Sequence, residues 1–269
     1  MKLLTRSDDY GFTRGVTLGC LDAIKYGFLR NMGIFTNMPE AEYAAAQIPN
    51  YPEACFGIDF NIVGGRSVAN PKLIPNLVDD KGFFIRSSAR FKDPKWQSEA
   101  GRRELFPKKE VEIELRAQYD RFIELTGHKP GYLCGHSISR WCEPYVEAIR
   151  DLAKETELIF VHDITPKFFN SIEANTGGAS LTKNFDLQEQ LAKDPAGVFW
   201  ASREESLKHE YVIAVVHVGF VDAELFKYTS LVIERAMDHQ FMTSQKIMDW
   251  IKENNVELIT YRDCNHMKD

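Results

Sequence analysis

Lys2–Phe35 reads KLLTRSDDYGFTRGVTLGCLDAIKYGFLRNMGIF, and the order of its pieces decides the fold. A short apolar run, Lys2 to Arg6, enters an acidic loop, and Thr13 then precedes Val16, Cys20, Leu21 and Ile24 at helical spacing. Gly27 ends that helix, and Asn31 to Phe35 forms a second apolar strand. The unit repeats at once, with Glu40 to Ile48 as a helix behind Pro39 and Cys55 to Phe60 (CFGIDF) as a third strand.

Further along, Lys108 to Thr126 places Val111, Leu115, Tyr119, Phe122 and Ile123 on one face opposite a charged one, the clearest helix in the chain. Tyr132 to His136, Leu158 to Val161, Tyr211 to Val218 and Val256 to Tyr261 read as strands, with helices over Glu143 to Lys154 and Ser244 to Glu253. Residues 166 to 209 give no clear period, with a turn expected at Asn175 to Gly178. Gly64 to Pro107, rich in Gly, Pro, Ser and charge, reads as a long insertion and a candidate lid over a pocket. Strands alternating with helices imply a parallel sheet. At 269 residues with about seven strands, a single α/β domain spanning 1–269 and closed or nearly closed into a barrel is favoured over an open doubly wound sheet.

Composition excludes several classes. The hydrophobic fraction of 44% and charged fraction of 27% are those of a globular protein. A net charge of −6 argues against nucleic acid as a partner. The longest apolar run, Tyr211 to Val221, is about half of the roughly 20 residues a membrane helix needs, so no membrane partner is expected. Two acids arrive before any apolar stretch suited to a signal peptide, which points to the cytoplasm. The five cysteines form no CxxC pair, and most are expected to be buried thiols. No Walker loop, dinucleotide fingerprint or GxSxG elbow appears.

Polar residues suited to metal binding or proton transfer sit at four strand ends: Asp8 and Asp9, Asp59 and Asn61, His136, and His217. A parallel barrel brings such ends to one rim. Adjacent carboxylates let one bind a metal while the other moves a proton, although an isolated Asp pair more often caps a helix or solvates a turn. His136 follows Gly135 at a strand end; a lone His is more often structural. His217 interrupts IAVVHVGF, where a buried imidazole needs partners the strand does not offer. Among the other histidines only His162, beside Asp163, is a candidate. The charged stretches Arg102 to Glu114 and Arg203 to Glu210 read as solvated faces.

Together these residues resemble the YdjC-like carbohydrate deacetylases, which include the chitooligosaccharide deacetylases. RSDDYGFTRGVTLGCLDAIKYG is similar to the opening signature of that family, FGIDFNI to its GLHLNL strand, LRAQYDRFIELTGHKPGYLCGH to its central segment, VVHVGFVDAEL to its late CHPGYVD motif and ELITYRD to its closing strand. The resemblance implies a distorted (β/α) barrel, a homodimer, that holds one divalent metal ion (Mg²⁺, Zn²⁺ or Mn²⁺) and removes acetyl groups from a small N-acetylated carbohydrate. Carried over by position, Asp9 and His136 are metal ligands, Asp8 the general base, and His217 the general acid or oxyanion stabiliser. Asp59 falls where the family has a ligand His, which makes the site more anionic and favours harder metals. Cys134 and Gly135 replace Asp and Ser, Ser137 to Arg140 a His-rich run, and Val218 a Pro. Asn61, Trp141 and Arg235 fall to substrate binding, with Trp141, Trp200 or Phe83 as sugar-stacking faces. The alternatives are a degenerate sugar-binding barrel, another metal-dependent amide hydrolase, or an isomerase.

Overall fold

In the computed structural model, which describes residues 1–172 and 185–267, seven strands form one parallel sheet. They are β1 (Lys2–Tyr10), β2 (Asn31–Ile34), β3 (Cys55–Phe60), β4 (Leu133–Gly135), β5 (Asn170–Ile172), β6 (Tyr211–Val216) and β7 (Glu257–Ile259). Their order is β4-β3-β2-β1-β6-β5, with β7 against the start of β1, and the sheet curls into a half-barrel wrapped by helices. The expected distorted barrel in a single domain is what forms. The turn expected at Asn175 to Gly178 lies outside the described residues.

Two apolar cores follow from the two-residue period of the strands. Leu3, Phe56, Ile58, Leu133, Val212 and Ala214 face outward and pack against the helices. Leu4, Cys55, Tyr132, Cys134, Ile213 and Ile259 face the barrel interior. Continued upward by twos, the interior rows run 4–6–8, 55–57–59, 132–134–136 and 213–215–217. The alternation that fills the base with Leu, Ile, Tyr and Cys therefore delivers Asp8, Asp59, His136 and His217 to the rim.

The nine residues of β1 border three strands. Lys2–Leu4 pair with β7, Arg6–Tyr10 with β2, and Lys2–Ser7 with β6 on the other edge. At the handover from β7 to β2, the fully buried Asn31 donates from Nδ2 to the carbonyls of Thr5 (2.9 Å) and Ile259 (3.3 Å), and its Oδ1 accepts from the Tyr261 N–H (2.9 Å). That amide satisfies backbone groups that no strand neighbour reaches.

Some elements differ from the sequence reading. Leu158 to Val161 pairs at one residue only, Phe160 with Leu133, because a helix begins at Val161 and buries Val161 and Ile164 one turn apart. The unclear stretch 166–209 holds β5 and helices Leu187–Leu191 and Pro195–Ser206, and a helix Ile233–Met242 forms where no period was legible. Residues 64–107 are packed, with Ile74, Leu77, Phe84 and Phe106 in the outer core. Glu114, read as part of a solvated face, is fully buried and accepts from the N–H groups of Val68 and Ala69. All five cysteines are buried and free. Among the described residues no helix is long and apolar enough to cross a membrane.

Asn31→Ala leaves three buried backbone groups without their side-chain partner and is expected to lower stability by about 3 kcal/mol in urea unfolding with an unchanged slope.

Candidate metal and catalytic site

Two consecutive aspartates cannot both face one side of a regular strand. Here Ser7 stands opposite Met32 and Tyr10 opposite Ile34, so β1 takes three steps while β2 takes two. This is a bulge at Asp8 and Asp9, and Asp9 sits at φ +69°, a left-handed conformation that Asp tolerates better than most residues. Both side chains line one cleft as a result. Across from the bulge, Gly33 leaves room for Asp59 and Asp8: a Cβ there would lie 2.8 Å from Asp59 Cβ and 3.5 Å from Asp8 Oδ1.

Asp9, Asp59 and His136 converge, with one donor atom from each lying within 4.8 Å of the others. His136 Nδ1 is 3.1 Å from Asp9 Oδ1 and 3.7 Å from Asp59 Oδ2. Asp9 Oδ1 and both Asp59 oxygens are buried, and none makes a hydrogen bond among the described residues. Buried carboxylate oxygens left this way are costly unless a cation meets them. Two carboxylates and an imidazole form a donor set suited to Mg²⁺, Mn²⁺ or Zn²⁺.

The surrounding charges fix these groups. Arg235, on the helix Ile233–Met242, is buried; its Nη2 donates to Asp9 Oδ2 (2.5 Å), its Nε to the Leu231 carbonyl (3.0 Å), and it lies over the Phe12 ring. Burial disfavours ionised Asp9, yet Arg235 and His136 outweigh it and hold the carboxyl well below the usual range. Burial raises Asp59, and Asp8 and Asp9 add to this against the pull of His136. For His136, burial opposes the imidazolium, but Asp9 and Asp59 prevail and raise it to about 10.

Asp8 is held by Arg6, two residues earlier on the same interior row: Arg6 Nη2 donates to Asp8 Oδ2 (3.0 Å) and Nε lies 2.9 Å from Oδ1. His217 follows β6, where its N–H donates to Asp238 Oδ2 (2.7 Å) and the next N–H, of Val218, to Ser7 Oγ (2.9 Å). Gly19 lets this segment lie against the first helix, Arg14–Lys25, since a Cβ there would meet the Phe220 nitrogen at 2.5 Å. Burial lowers the His217 pKa, with Arg235 adding to the effect.

The cleft, about 1830 Å³, gathers Asp8, Asp9, Asp59, Asn61, His136, Trp141, His217 and Arg235 on its walls. Phe83 and Trp141 line it with exposed rings, and His162, partly buried, lines it too, its pKa pushed down to about 3 by burial, Arg6 and Arg140. Asn61 is oriented from behind, its main chain clamped by Gln118 and its Oδ1 accepting from the Val63 N–H. Trp200 is not among the cleft residues; it lies beneath Lys246 and Arg203. Sequence reading missed Arg6, Ser7, Gly33 and Asp238. Only Arg6 carried a signal, a charge two residues before Asp8 in an otherwise buried strand.

The profile of a family described as YdjC-like protein matches residues 2–253. A protein of Listeria innocua serovar 6a named carbohydrate deacetylase 2 is 27% identical over 98% of each chain. One of Proteus mirabilis named chitooligosaccharide deacetylase is 24% identical over 97% of this chain and 98% of its own. Among solved structures, a candidate cellobiose-phosphate cleavage protein of Enterococcus faecalis V583 superposes with a TM-score of 0.77 over 98% of each chain at 18% identity, a likeness of fold.

Gly33→Ala should weaken divalent-cation binding by about 10- to 100-fold in calorimetric titration while the protein stays folded, because the added methyl displaces Asp59. Cation affinity should also fall with pH. His136 carries a proton below about 10 and must lose it to bind, so affinity drops roughly tenfold per unit, and more steeply where Asp59 is protonated too. Proton release on binding, measured in buffers of different ionisation enthalpy, checks the sign.

Proposed function

Because the chain belongs to the YdjC-like protein family, we propose that it is a metal-dependent carbohydrate deacetylase that hydrolyses the acetyl amide of N-acetylated sugars. The observation that carries this reading is the convergence of Asp9, Asp59 and His136, with unsatisfied carboxylate oxygens, on a cleft that also presents Asp8 and His217. The names of the Listeria and Proteus relatives support the substrate class.

Asp9, Asp59 and His136 would hold the cation, and Arg235 keeps the Asp9 carboxylate aimed at it. The chemistry such an ion supplies when bound is Lewis acidity toward an amide carbonyl and a water. Asp8 is the general base, taking the proton from the attacking water with a carboxylate that Arg6 keeps in one orientation. His217 serves the oxyanion or the departing amine. Burial lowers the pKa of its imidazole and so favours the neutral ring, whose N–H is a hydrogen-bond donor, and the proton that leaves with the amine is the one Asp8 removed from water. The amide C–N bond breaks, giving acetate and the free amino sugar.

Trp141 and Phe83 offer rings on which a sugar can stack, Asn61 lines the same cleft, and residues 64–107 cover one wall of it through Phe83 to Ala89. Two carboxylates in a three-donor set favour Mg²⁺ or Mn²⁺ over softer ions.

Protein loaded with Mn²⁺, Mg²⁺ or Zn²⁺ should release acetate from N,N′-diacetylchitobiose or another member of a panel of N-acetylated sugars. No release from the whole panel, with cation shown to be bound, rejects the reading. Asp8→Asn should lower turnover at least about 1000-fold and leave cation affinity within a few-fold of the parent; retained turnover removes Asp8 from its role.

A further inference from the structure

A guanidinium sealed inside a barrel has five N–H groups to satisfy and a charge to neutralise, so its partners decide where it points. Arg6 is 3% exposed and sits on the interior row beneath Asp8. Its Nε and Nη2 face the Asp8 carboxylate. Its Nη1 donates to the hydroxyl of Tyr261 at 3.2 Å, the neutral contact on the side away from Asp8.

Tyr261 is itself fixed on every side. It opens the 3₁₀ helix Tyr261–Met267, which follows β7 and closes the barrel base with Cys264 and Met267. Its N–H is bound by Asn31 Oδ1 (2.9 Å), and its ring packs against Tyr132 with centroids 4.3 Å apart and the planes tilted by 46°. The next residue, Arg262, donates to the carbonyls of Pro52 and Ala54, so the turn is anchored outside the barrel as well. Tyr261 is fully buried, with its hydroxyl directed at Arg6.

We infer that Tyr261 is a positioning residue for the reaction: its hydroxyl fixes the Arg6 guanidinium, and Arg6 in turn fixes the Asp8 carboxylate that removes the proton from water. The inference rests on the reading of Asp8 as general base. It makes the segment that closes the floor part of the machinery at the rim. A carboxylate free to rock on its Cβ–Cγ bond loses the alignment toward water that proton transfer needs, and displacements near 1 Å can cost about 100-fold in rate.

The test is a double-mutant cycle on the full chain, loaded with Mn²⁺ and assayed for acetate release from N,N′-diacetylchitobiose. Tyr261→Phe keeps the ring and its packing against Tyr132 and removes only the hydroxyl. It should lower kcat about tenfold, leave KM within about twofold, and leave Mn²⁺ affinity unchanged, because Asp9, Asp59 and His136 are untouched. Arg6→Lys, which cannot hold both carboxylate oxygens, should lower kcat further, and adding Tyr261→Phe to it should cost nothing more, since the hydroxyl acts through the guanidinium. Tyr132→Phe removes an equally buried hydroxyl that has no hydrogen-bond partner among the described residues and should leave kcat unchanged. Parental kcat in folded Tyr261→Phe, or a Tyr261→Phe effect of equal size in the Arg6→Lys background, overturns the inference. Asp8→Asn run beside them separates the two ideas: if that variant turns over, the base assignment fails, whereas an inactive Asp8→Asn with parental Tyr261→Phe defeats the positioning role alone.

Discussion

Three carboxylates, of Asp8, Asp9 and Asp59, are buried at one rim of the half-barrel, and the arrangement of the neighbouring charges follows from the cost of keeping them there. Each has a different answer. Asp8 takes a buried guanidinium from its own strand, Arg6. Asp9 takes one from a helix more than two hundred residues away, Arg235. Asp59 has no guanidinium within hydrogen-bonding distance and only the His136 imidazole beside it, and burial raises its pKa accordingly. Asp9 Oδ1 and both oxygens of Asp59 make no hydrogen bond among the described residues, and the point beside His136 where they meet is the place a divalent cation would complete.

Strand alternation alone would not assemble this group. Interior rows bring up one residue per strand end, which accounts for Asp8, Asp59, His136 and His217. Asp9 belongs to the opposite face and reaches the cleft only because the bulge and its left-handed φ re-aim it. Gly33 is the counterpart on β2, its missing side chain making room for Asp59 and Asp8. A strained backbone opposite a glycine is the local form of a wider pattern in which function is built at the positions that break a regular repeat.

Much of this was legible in the sequence, and the reason is periodicity. Strands such as CFGIDF and YVIAVV announce themselves, and a polar residue ending such a strand can be assigned to a barrel rim before any coordinates exist. What was not legible depends on which distant groups meet. The helix Ile233–Met242 buries Phe241 and Met242 in the outer core, but Glu234, Arg235 and Asp238 are buried on it as well, and these charged residues mask its inward face in the sequence. Glu114 looked solvated because its burial serves the backbone of another loop, at Val68 and Ala69. Leu158 to Val161 had the composition of a strand, but only one residue found a partner before helix packing took over.

The central claim is that Asp9 Oδ1 and the Asp59 carboxylate, buried without a hydrogen bond among the described residues, bind a cation together with His136. Anomalous diffraction from crystals equilibrated with Mn²⁺, recorded near the manganese absorption edge, addresses it most directly. The account predicts one strong peak within about 2.0–2.4 Å of an oxygen of Asp9, an oxygen of Asp59 and a ring nitrogen of His136. A fully occupied peak elsewhere, or none at this cluster with Mn²⁺ in large excess near neutral pH, would contradict it.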